Sequence, residues 1–314
     1  MAASKQRTRW HELAPSARAA IERLIGGVVV EAANRPGGFS PGFASRLTRA
    51  DGTRFFVKAV DASVSEFQTS VYRAEAAVAA ALPAAVPAPT LLGTHDDGRW
   101  VILAFEYVDG SGPTEPWTSA ELDRVLAAVA QLALAGNPSP APLPRDHPRL
   151  GGWPEIAGNP MFGSRLSEHS TWAVRHLARL VDLEEQGLAA AQGDALVHFD
   201  LYPQNIVLAP DRVVFVDWPH ARLGAPYVDL VMLLSSAAAD GIDPEPLARR
   251  HPVAADVEPG IIDAVLAAYA GFWMDGGLAT LPAEFQPIAD YKLRLGLGAI
   301  RWLRHRLTGR RLAG

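Results

Sequence analysis

The first third of this 314-residue chain is organised by two hairpin turn signals between runs of strand-forming residues. Asp51-Gly52 and Asp96-Asp97-Gly98 are turn sequences of the kind that join two antiparallel strands. A glycine- and proline-rich loop precedes the first hairpin, and an alanine-rich helix over about residues 66–82 separates the two. The order strand, glycine loop, strand, strand, helix, strand, strand predicts a small antiparallel sheet that carries one main helix.

The pattern changes after residues 108–113, which have the composition of a linker. Beyond them the apolar periodicity is mostly helical, interrupted by two short apolar strands at 206–208 and 213–216. We therefore predict an α+β protein with an N-terminal lobe over residues 1–108 and a larger, mostly helical lobe over residues 109–314. The helices predicted in the second lobe cover residues 119–135, 167–191, 227–239, 259–274 and 285–307.

Composition restricts the possible classes of function. A formal net charge of −5 gives no support for a nucleic acid or an anionic membrane as partner. The chain has no cysteine, which excludes disulfides, thiolate metal sites and a cysteine nucleophile, and fits a reducing compartment. The N-terminal residues lack the apolar core of a signal peptide, and no apolar stretch reaches about 18 residues. We expect a soluble, cytoplasmic chain with no obligate protein partner.

The strongest functional signal is the loop VHFDLYPQN at residues 197–205, in which four residues separate Asp200 from Asn205. The apolar strand 213–216 follows, and Asp217 stands at its end. Phosphoryl transfer needs one carboxylate to orient the attacking hydroxyl, and a second carboxylate with an amide oxygen to hold magnesium against the nucleotide phosphates. This pattern favours a kinase site over a chance grouping of three polar residues.

These residues resemble the aminoglycoside phosphotransferase and choline kinase family, relatives of the protein kinases. The resemblance covers nearly the whole chain and implies a protein-kinase-like two-lobed fold with Mg²⁺ and either ATP or GTP. It implies Asp200 as the catalytic base, and Asn205 and Asp217 as the magnesium ligands. His198 and Asp229 match positions that support the catalytic loop.

Lysine is rare in this chain, and only Lys5, Lys58 and Lys292 occur. Lys58 lies in an apolar strand, where a charged residue requires a reason. The resemblance implies that Lys58 contacts the nucleotide phosphates and that Glu75, on the following helix, is its ion-pair partner. Glu66 on the same helix is the alternative partner, although it lies nearer the helix start.

Two further segments are expected to contact the nucleotide: the glycine loop, through free backbone amides or the Ser40 hydroxyl, and, as the resemblance implies, the end of the sheet. The glycine loop before the first hairpin could bring free amides to the phosphates, although it could equally be a flexible turn. The segment at the end of the sheet could bind adenine or guanine through its backbone. The residues concerned are Gly37, Gly38 and Ser40 in the loop, and Glu106, Tyr107 and Val108 at the end of the sheet.

Two departures from the kinase pattern limit the possible substrates. Phe199 stands where the family often has glycine and protein kinases have arginine, and Trp218-Pro219 replaces Phe-Gly after Asp217. No Ala-Pro-Glu stretch is present. These departures argue against a phosphorylation-controlled protein kinase.

The acceptor is therefore expected to be a small hydroxylated molecule. The resemblance favours an aminoglycoside or another antibiotic, with resistance as the role; choline, homoserine or a sugar is the metabolic alternative. A catalytically inactive nucleotide-binding scaffold is an alternative of another class. In the family, acids of the C-terminal region bind cationic acceptors, although such residues are also common in cores and on solvated faces. The acceptor-binding residues expected here are Asp263, Trp273, Asp275, Glu284 and Asp290.

Overall fold

A computed structural model describes residues 8–34 and 42–309 of the chain, apart from the side chain of Glu284. The described residues divide into two compact units. The sheet unit is formed by described residues up to 112 together with residues 204–220, and the helical unit by residues 113–203 and 221–309.

Five antiparallel strands form the main sheet of the sheet unit. They are β1 (Val29–Asn34), β2 (Phe43–Arg49), β3 (Arg54–Asp61), β4 (Leu91–Asp96) and β5 (Trp100–Glu106). Their order across the sheet is β1-β2-β3-β5-β4. At the two hairpin turns Gly52 and Gly98 have φ angles of 84° and 87°, a left-handed conformation that glycine adopts without steric cost. The predicted antiparallel sheet is confirmed.

Two helices, α1 (Pro15–Ile25) and α2 (Glu66–Ala81), pack against side chains that point to opposite faces of this sheet. Successive side chains of a strand point to opposite faces. Val57 of β3 belongs to the buried cluster that contains α1, whereas Leu103 of β5 belongs to the cluster that contains α2. Lys58 follows Val57, so its side chain leaves β3 on the side of α2.

A separate hairpin, β7 (Ile206–Leu208) and β8 (Val213–Phe215), completes the sheet unit. Its apolar side chains form a small buried cluster with Val108. Ser111 makes an isolated antiparallel bridge to Leu208, with backbone bonds in both directions. These contacts attach the strands that flank Asn205 and Asp217 to the end of the main sheet.

The helical unit contains a two-stranded sheet and nine helices among its described residues. The strands are β6 (Ala195–Val197) and β9 (Arg222–Gly224). The helices are α3 (Ser119–Ala135), α4 (Trp153–Gly158), α5 (Pro160–His169), α6 (Thr171–Arg175), α7 (Leu177–Ala190), α8 (Tyr227–Ala239), α9 (Glu245–Arg250), α10 (Pro259–Leu278) and α11 (Gln286–Thr308).

Helix α10 is the centre of this unit and packs against α7, α8 and α11. It is the one helix in the described part of the chain that is long and apolar enough to span a membrane. In the most apolar 18-residue window of α10, 67% of the residues are buried inside the protein. The apolar composition of α10 is therefore accounted for by the core of the helical unit.

The segment 167–191, predicted as one helix, is instead the end of α5 followed by α6 and α7. Ser170 has an extended backbone (φ −151°), and its side chain accepts a hydrogen bond from the Ala173 N–H. This side chain satisfies a donor at the start of α6, so the chain ends one helix and begins another at Ser170. Apolar periodicity alone does not reveal such a break.

Candidate active site

Lys58 is the centre of a buried charge cluster in the sheet unit. Its ammonium donates to both carboxylate oxygens of Glu75, at 2.7 and 2.8 Å, and to Oδ1 of Asp217 at 2.8 Å. The side chain of Glu75 is only 3% exposed and that of Lys58 13%, whereas that of Asp217 is 47% exposed. The structure thus joins Lys58 to Glu75, and Asp217 is the member that solvent reaches.

The two carboxylates of this cluster stabilise the charged form of Lys58. Burial alone would lower the pKa of the Lys58 ammonium, but the carboxylates of Asp217 and Glu75 raise it above its ordinary value. The site therefore keeps a fixed positive charge on a rigid strand next to an exposed carboxylate. Such a fixed charge can neutralise phosphate oxygens without reorganising.

Asn205 and Asp217 flank the hairpin β7–β8, and its register brings their backbones together. Ile206 pairs with Phe215, and the Val216 N–H donates to the Asn205 carbonyl at 2.9 Å. Asp217, the next residue, has a φ of 71°, which a non-glycine residue adopts at a cost. A strained backbone at a partly exposed acid is typical of a functional position. The pair supplies one carboxylate and one amide oxygen, hard ligands of the kind that magnesium binds, so these residues fit the metal that the resemblance implies.

In the helical unit, Asp229 holds the loop that contains Asp200. Its carboxylate accepts the backbone N–H of His198 at 2.7 Å and that of Phe199 at 2.9 Å. Burial raises the pKa of Asp229 to about 7, although both hydrogen bonds act in the opposite direction. Phe199 is fully buried, has a φ of 63° and stacks on His147 with ring centroids 5.0 Å apart. The loop is therefore fixed by two amides and by an aromatic anchor.

Asp200 itself is buried and forms an ion pair that the sequence did not indicate. Nη1 of Arg149 lies 3.0 Å from Oδ1 of Asp200. Arg149 belongs to the proline-rich segment between α3 and α4, which carries no motif and no periodic pattern. Its role could be found only from the three-dimensional contact. The same guanidinium lies over the ring of Phe272, with Cζ 5.9 Å from the centroid.

The predicted acceptor-binding acids are not one cluster. Asp263, at the start of α10, forms a close ion pair with Arg306. Asp275 lies twelve residues further along α10, which corresponds to about 18 Å of helix. Asp290 accepts a hydrogen bond from Gln286 at 3.0 Å. The side chain of Glu284 lies outside the described part of the chain.

Trp273 is buried in a group of aromatic rings in the helical unit. The rings of Tyr202, Tyr269, Phe272 and Tyr291 all have centroids within 6.4 Å of the Trp273 ring. Aromatic pairs at these distances stabilise a core. Tyr202 is two residues from Asp200 in the sequence, so these packed rings hold the segment that follows Asp200.

The remaining predicted nucleotide residues are only partly described. Glu106 accepts from the Thr90 N–H at 2.9 Å and from Arg212 at 3.0 Å, and its own N–H donates to the Thr90 carbonyl. The Tyr107 ring lies under Arg54, and Val108 is buried. These side chains stabilise the end of the sheet. The glycine-loop residues Gly37, Gly38 and Ser40 lie outside the described residues.

Comparison with known proteins gives the family. Residues 34–265 match the model of the phosphotransferase enzyme family. No curated protein sequence matches the chain significantly.

Solved structures of similar fold include a choline/ethanolamine kinase family protein from Mesorhizobium loti. It is 18% identical to this chain, and the alignment covers 93% of this chain and 96% of the solved chain with a TM-score of 0.60. An aminoglycoside phosphotransferase from Alicyclobacillus acidocaldarius is 13% identical, with 95% and 96% coverage and a TM-score of 0.57. The GDP and kanamycin complex of APH(2")-IIia is 13% identical, with 94% and 99% coverage and a TM-score of 0.56.

These likenesses confirm the protein-kinase-like fold, with an antiparallel sheet and a helical lobe. The match of the family model extends over more than half of the chain, from the end of β1 into α10. The chain belongs to the phosphotransferase enzyme family and is a small-molecule kinase with an alcohol group as acceptor.

Proposed function

We propose that the chain transfers the γ-phosphoryl group of ATP or GTP to a hydroxyl of a small molecule, with Asp200 as the base. The observation that carries this proposal is the buried Lys58, which bonds to Glu75 and to the exposed Asp217. A lysine held between two acids on a strand is suited to neutralise the phosphates of a nucleotide. An inactive scaffold would not need to retain Lys58, Asn205, Asp200 and Asp217 together.

Each residue has a distinct task in this proposal. Lys58 binds the nucleotide phosphates, and Glu75 fixes its position. Asp200 accepts the proton of the attacking hydroxyl, while Asp229 holds the backbone of its loop. Because the transition state of phosphoryl transfer is loose, these residues act by positioning and by charge rather than by covalent chemistry.

Asn205 and Asp217 are the residues that we propose to hold Mg²⁺. When bound, the ion would neutralise charge on the transferred phosphoryl group. The partial exposure of Asp217 supports this assignment, because a ligand of a nucleotide-bound ion must be reachable from solvent. Among the described residues, no group of three or more histidine and acidic side chains could hold a metal ion.

The acceptor proposed from the resemblance is an aminoglycoside or another hydroxylated antibiotic, with inactivation of the drug in the cytoplasm as the role. The similar solved structures include a kanamycin complex and a choline/ethanolamine kinase family protein. Choline, homoserine and sugars are the metabolic alternatives that the resemblance leaves open. These candidates differ in net charge, which makes charge the first property to establish.

The test is a coupled assay of nucleoside diphosphate release with ATP and with GTP, against antibiotics and metabolites of each charge class. We expect release that depends on both the acceptor and magnesium. Nucleotide binding without release for any acceptor would favour the inactive scaffold. Release that continues at the same rate without an acceptor would contradict a small-molecule kinase.

A further inference from the structure

Lys292 is the second lysine inside the described part of the chain, and the proposed chemistry leaves it without a task. It lies on α11, and its Nζ is 6.0 Å from the centroid of the Phe272 ring. A side chain at Gly276 would bring its Cβ within 2.8 Å of Lys292 Cδ and 2.9 Å of Nζ. Glycine at position 276 therefore makes room for the lysine to lie along α10.

Phe272 has a second cation on its ring, the guanidinium of Arg149, and this same guanidinium pairs with Asp200. Two positive groups over one ring repel each other, and an intervening anion would relieve the repulsion. Lys292 and Arg149 thus share the Phe272 ring, and Arg149 in turn contacts the proposed base, Asp200.

The nearby acids do not neutralise Lys292. Among the described residues, no carboxylate lies within ion-pair distance of its ammonium, and Asp275 acts on it only from further away. Glu115 and Asp240 are both bound to Arg294, at 2.5 and 2.6 Å. Burial lowers the pKa of Lys292, and the charge of Arg149 lowers it further. Lys292 is thus a half-buried cation whose charge is only weakly compensated.

Tyr291, the neighbour of Lys292 in the sequence, adds a polar group that lacks a partner. Its hydroxyl is buried and forms no hydrogen bond with any residue that the structure describes. A buried hydroxyl without a partner is costly. Tyr291 also packs against Tyr202, with centroids 6.3 Å apart, in the segment that follows Asp200.

We propose that the acceptor molecule carries an anionic group, a carboxylate or a phosphate, which binds Lys292 and Arg149 beside Phe272. This inference rests on the proposed kinase function, but it replaces the aminoglycoside that the resemblance favours with a hydroxylated acid or a phosphorylated sugar as the acceptor. A polycation would instead meet the two cations, while Glu115 and Asp240 are already bound to Arg294. Arg149 then has two contacts, one to the base and one to the acceptor.

The first test measures binding without turnover. Because the chain has only three lysines, the acetylation of each one can be followed separately. Acetylation rates of Lys5 and Lys292 are followed by mass spectrometry at constant ionic strength, with AMP-PNP and magnesium present to fill the nucleotide site. We expect D-gluconate, D-glucose 6-phosphate or both to slow acetylation of Lys292 relative to Lys5, whereas D-glucose and kanamycin do not. The gluconate and phosphate arms distinguish the two anions. Equal rates with all four compounds, or protection by kanamycin alone, would overturn the inference.

The second test uses Lys292→Met, which keeps most of the apolar stem and removes the charge. With the acceptor that the release assay identifies, we expect its KM to rise at least about tenfold, the size of one lost charge-assisted hydrogen bond, while the nucleotide KM is unchanged. Arg304→Met removes the same charge from an exposed position of α11 and should leave both constants unchanged.

An acceptor that is a polycation, or an acceptor KM that is the same in Lys292→Met, would refute the anionic acceptor while leaving the kinase function intact. Absence of release with every acceptor would instead refute the kinase function. In that case the acetylation rates alone decide whether Lys292 binds an anion.

Discussion

Replacing Lys58 by methionine tests the charge cluster of the sheet unit most severely. The substitution keeps the length of the stem in β3 and removes the donor of three bonds, two to Glu75 and one to Asp217. Asp217 is 47% exposed, so water can replace the lost ammonium there. Glu75 is only 3% exposed, and its carboxylate is left buried without a counter-charge.

The magnitude follows from this difference in exposure. Removing one partner of a buried ion pair costs about 3–5 kcal/mol of the free energy of unfolding. Most of this cost is the isolated carboxylate of Glu75, so the double variant Lys58→Met/Glu75→Met should recover at least about 2 kcal/mol of it. Nucleotide affinity should be reduced in both variants, because neither has the ammonium.

The cost should also depend on pH. Burial raises the pKa of Glu75 in the wild type, where the charge of Lys58 acts to lower it, so removing Lys58 raises this pKa further above the value of about 4.3 in the unfolded chain. Between these two values the folded variant binds a proton that the unfolded chain has released, so its free energy of unfolding falls as the pH rises. The difference from the wild type should therefore be larger at pH 8 than at pH 5.

Urea unfolding of the full chain at the two pH values measures these differences. Arg54→Met is the matched control, because Arg54 lies on the same strand but is exposed and pairs with the exposed Asp109 at 2.9 Å. It should cost no more than about 1 kcal/mol. A cost of Lys58→Met as small as that of the control, or a double variant no more stable than the single one, would refute the reasoning.

Two further predictions concern the residues around the reacting groups. Asp217→Ala should weaken magnesium-nucleotide binding more than Asn205→Ala, because it removes a charge as well as a ligand; calorimetric titration with and without magnesium measures this, and an unchanged metal dependence in Asp217→Ala would contradict it. Asp229→Asn leaves one buried N–H without an acceptor and should cost about 1–3 kcal/mol at pH 5, relative to the exposed control Asp256→Asn. Burial raises the pKa of Asp229 to about 7, so the wild type loses stability as the pH rises from about 4 to 7. The difference in free energy of unfolding between the wild type and Asp229→Asn should therefore narrow at pH 8. A difference that widens would contradict the assignment.

Local patterns in the sequence predicted the five-stranded sheet well. The turn glycines Gly52 and Gly98 and the strand composition determine hairpins without reference to the rest of the chain. Helix α8 was also predicted with its observed bounds, Tyr227–Ala239. Lys58 could be recognised because a lysine is unusual both in an apolar strand and in this composition. Its contact with Glu75 is observed, and its role in nucleotide binding stays a prediction.

The acceptor side was much harder to predict. The contact of Arg149 with Asp200 joins positions 51 residues apart, in a segment without periodicity, so no local pattern encodes it. The acids expected to bind a cation are distributed along α10, α11 and the segment between them, and Asp263 is already bound to Arg306. The sequence gives the number of such charges but not which of them neutralise one another. That pairing decides the character of a pocket.

The central claim is that Asp200 is the base of a phosphoryl transfer, and Asp200→Asn tests it most directly. The measurement is acceptor-dependent release of nucleoside diphosphate, together with nucleotide affinity by calorimetry. Asp194→Asn is the control, since Asp194 is an exposed acid that also pairs with an arginine, at 2.7 Å from Arg145. We predict that Asp200→Asn abolishes release while nucleotide affinity and the control stay close to wild type. Release by Asp200→Asn within about tenfold of the wild-type rate would contradict the account, because general base catalysis contributes about 10²–10⁴-fold.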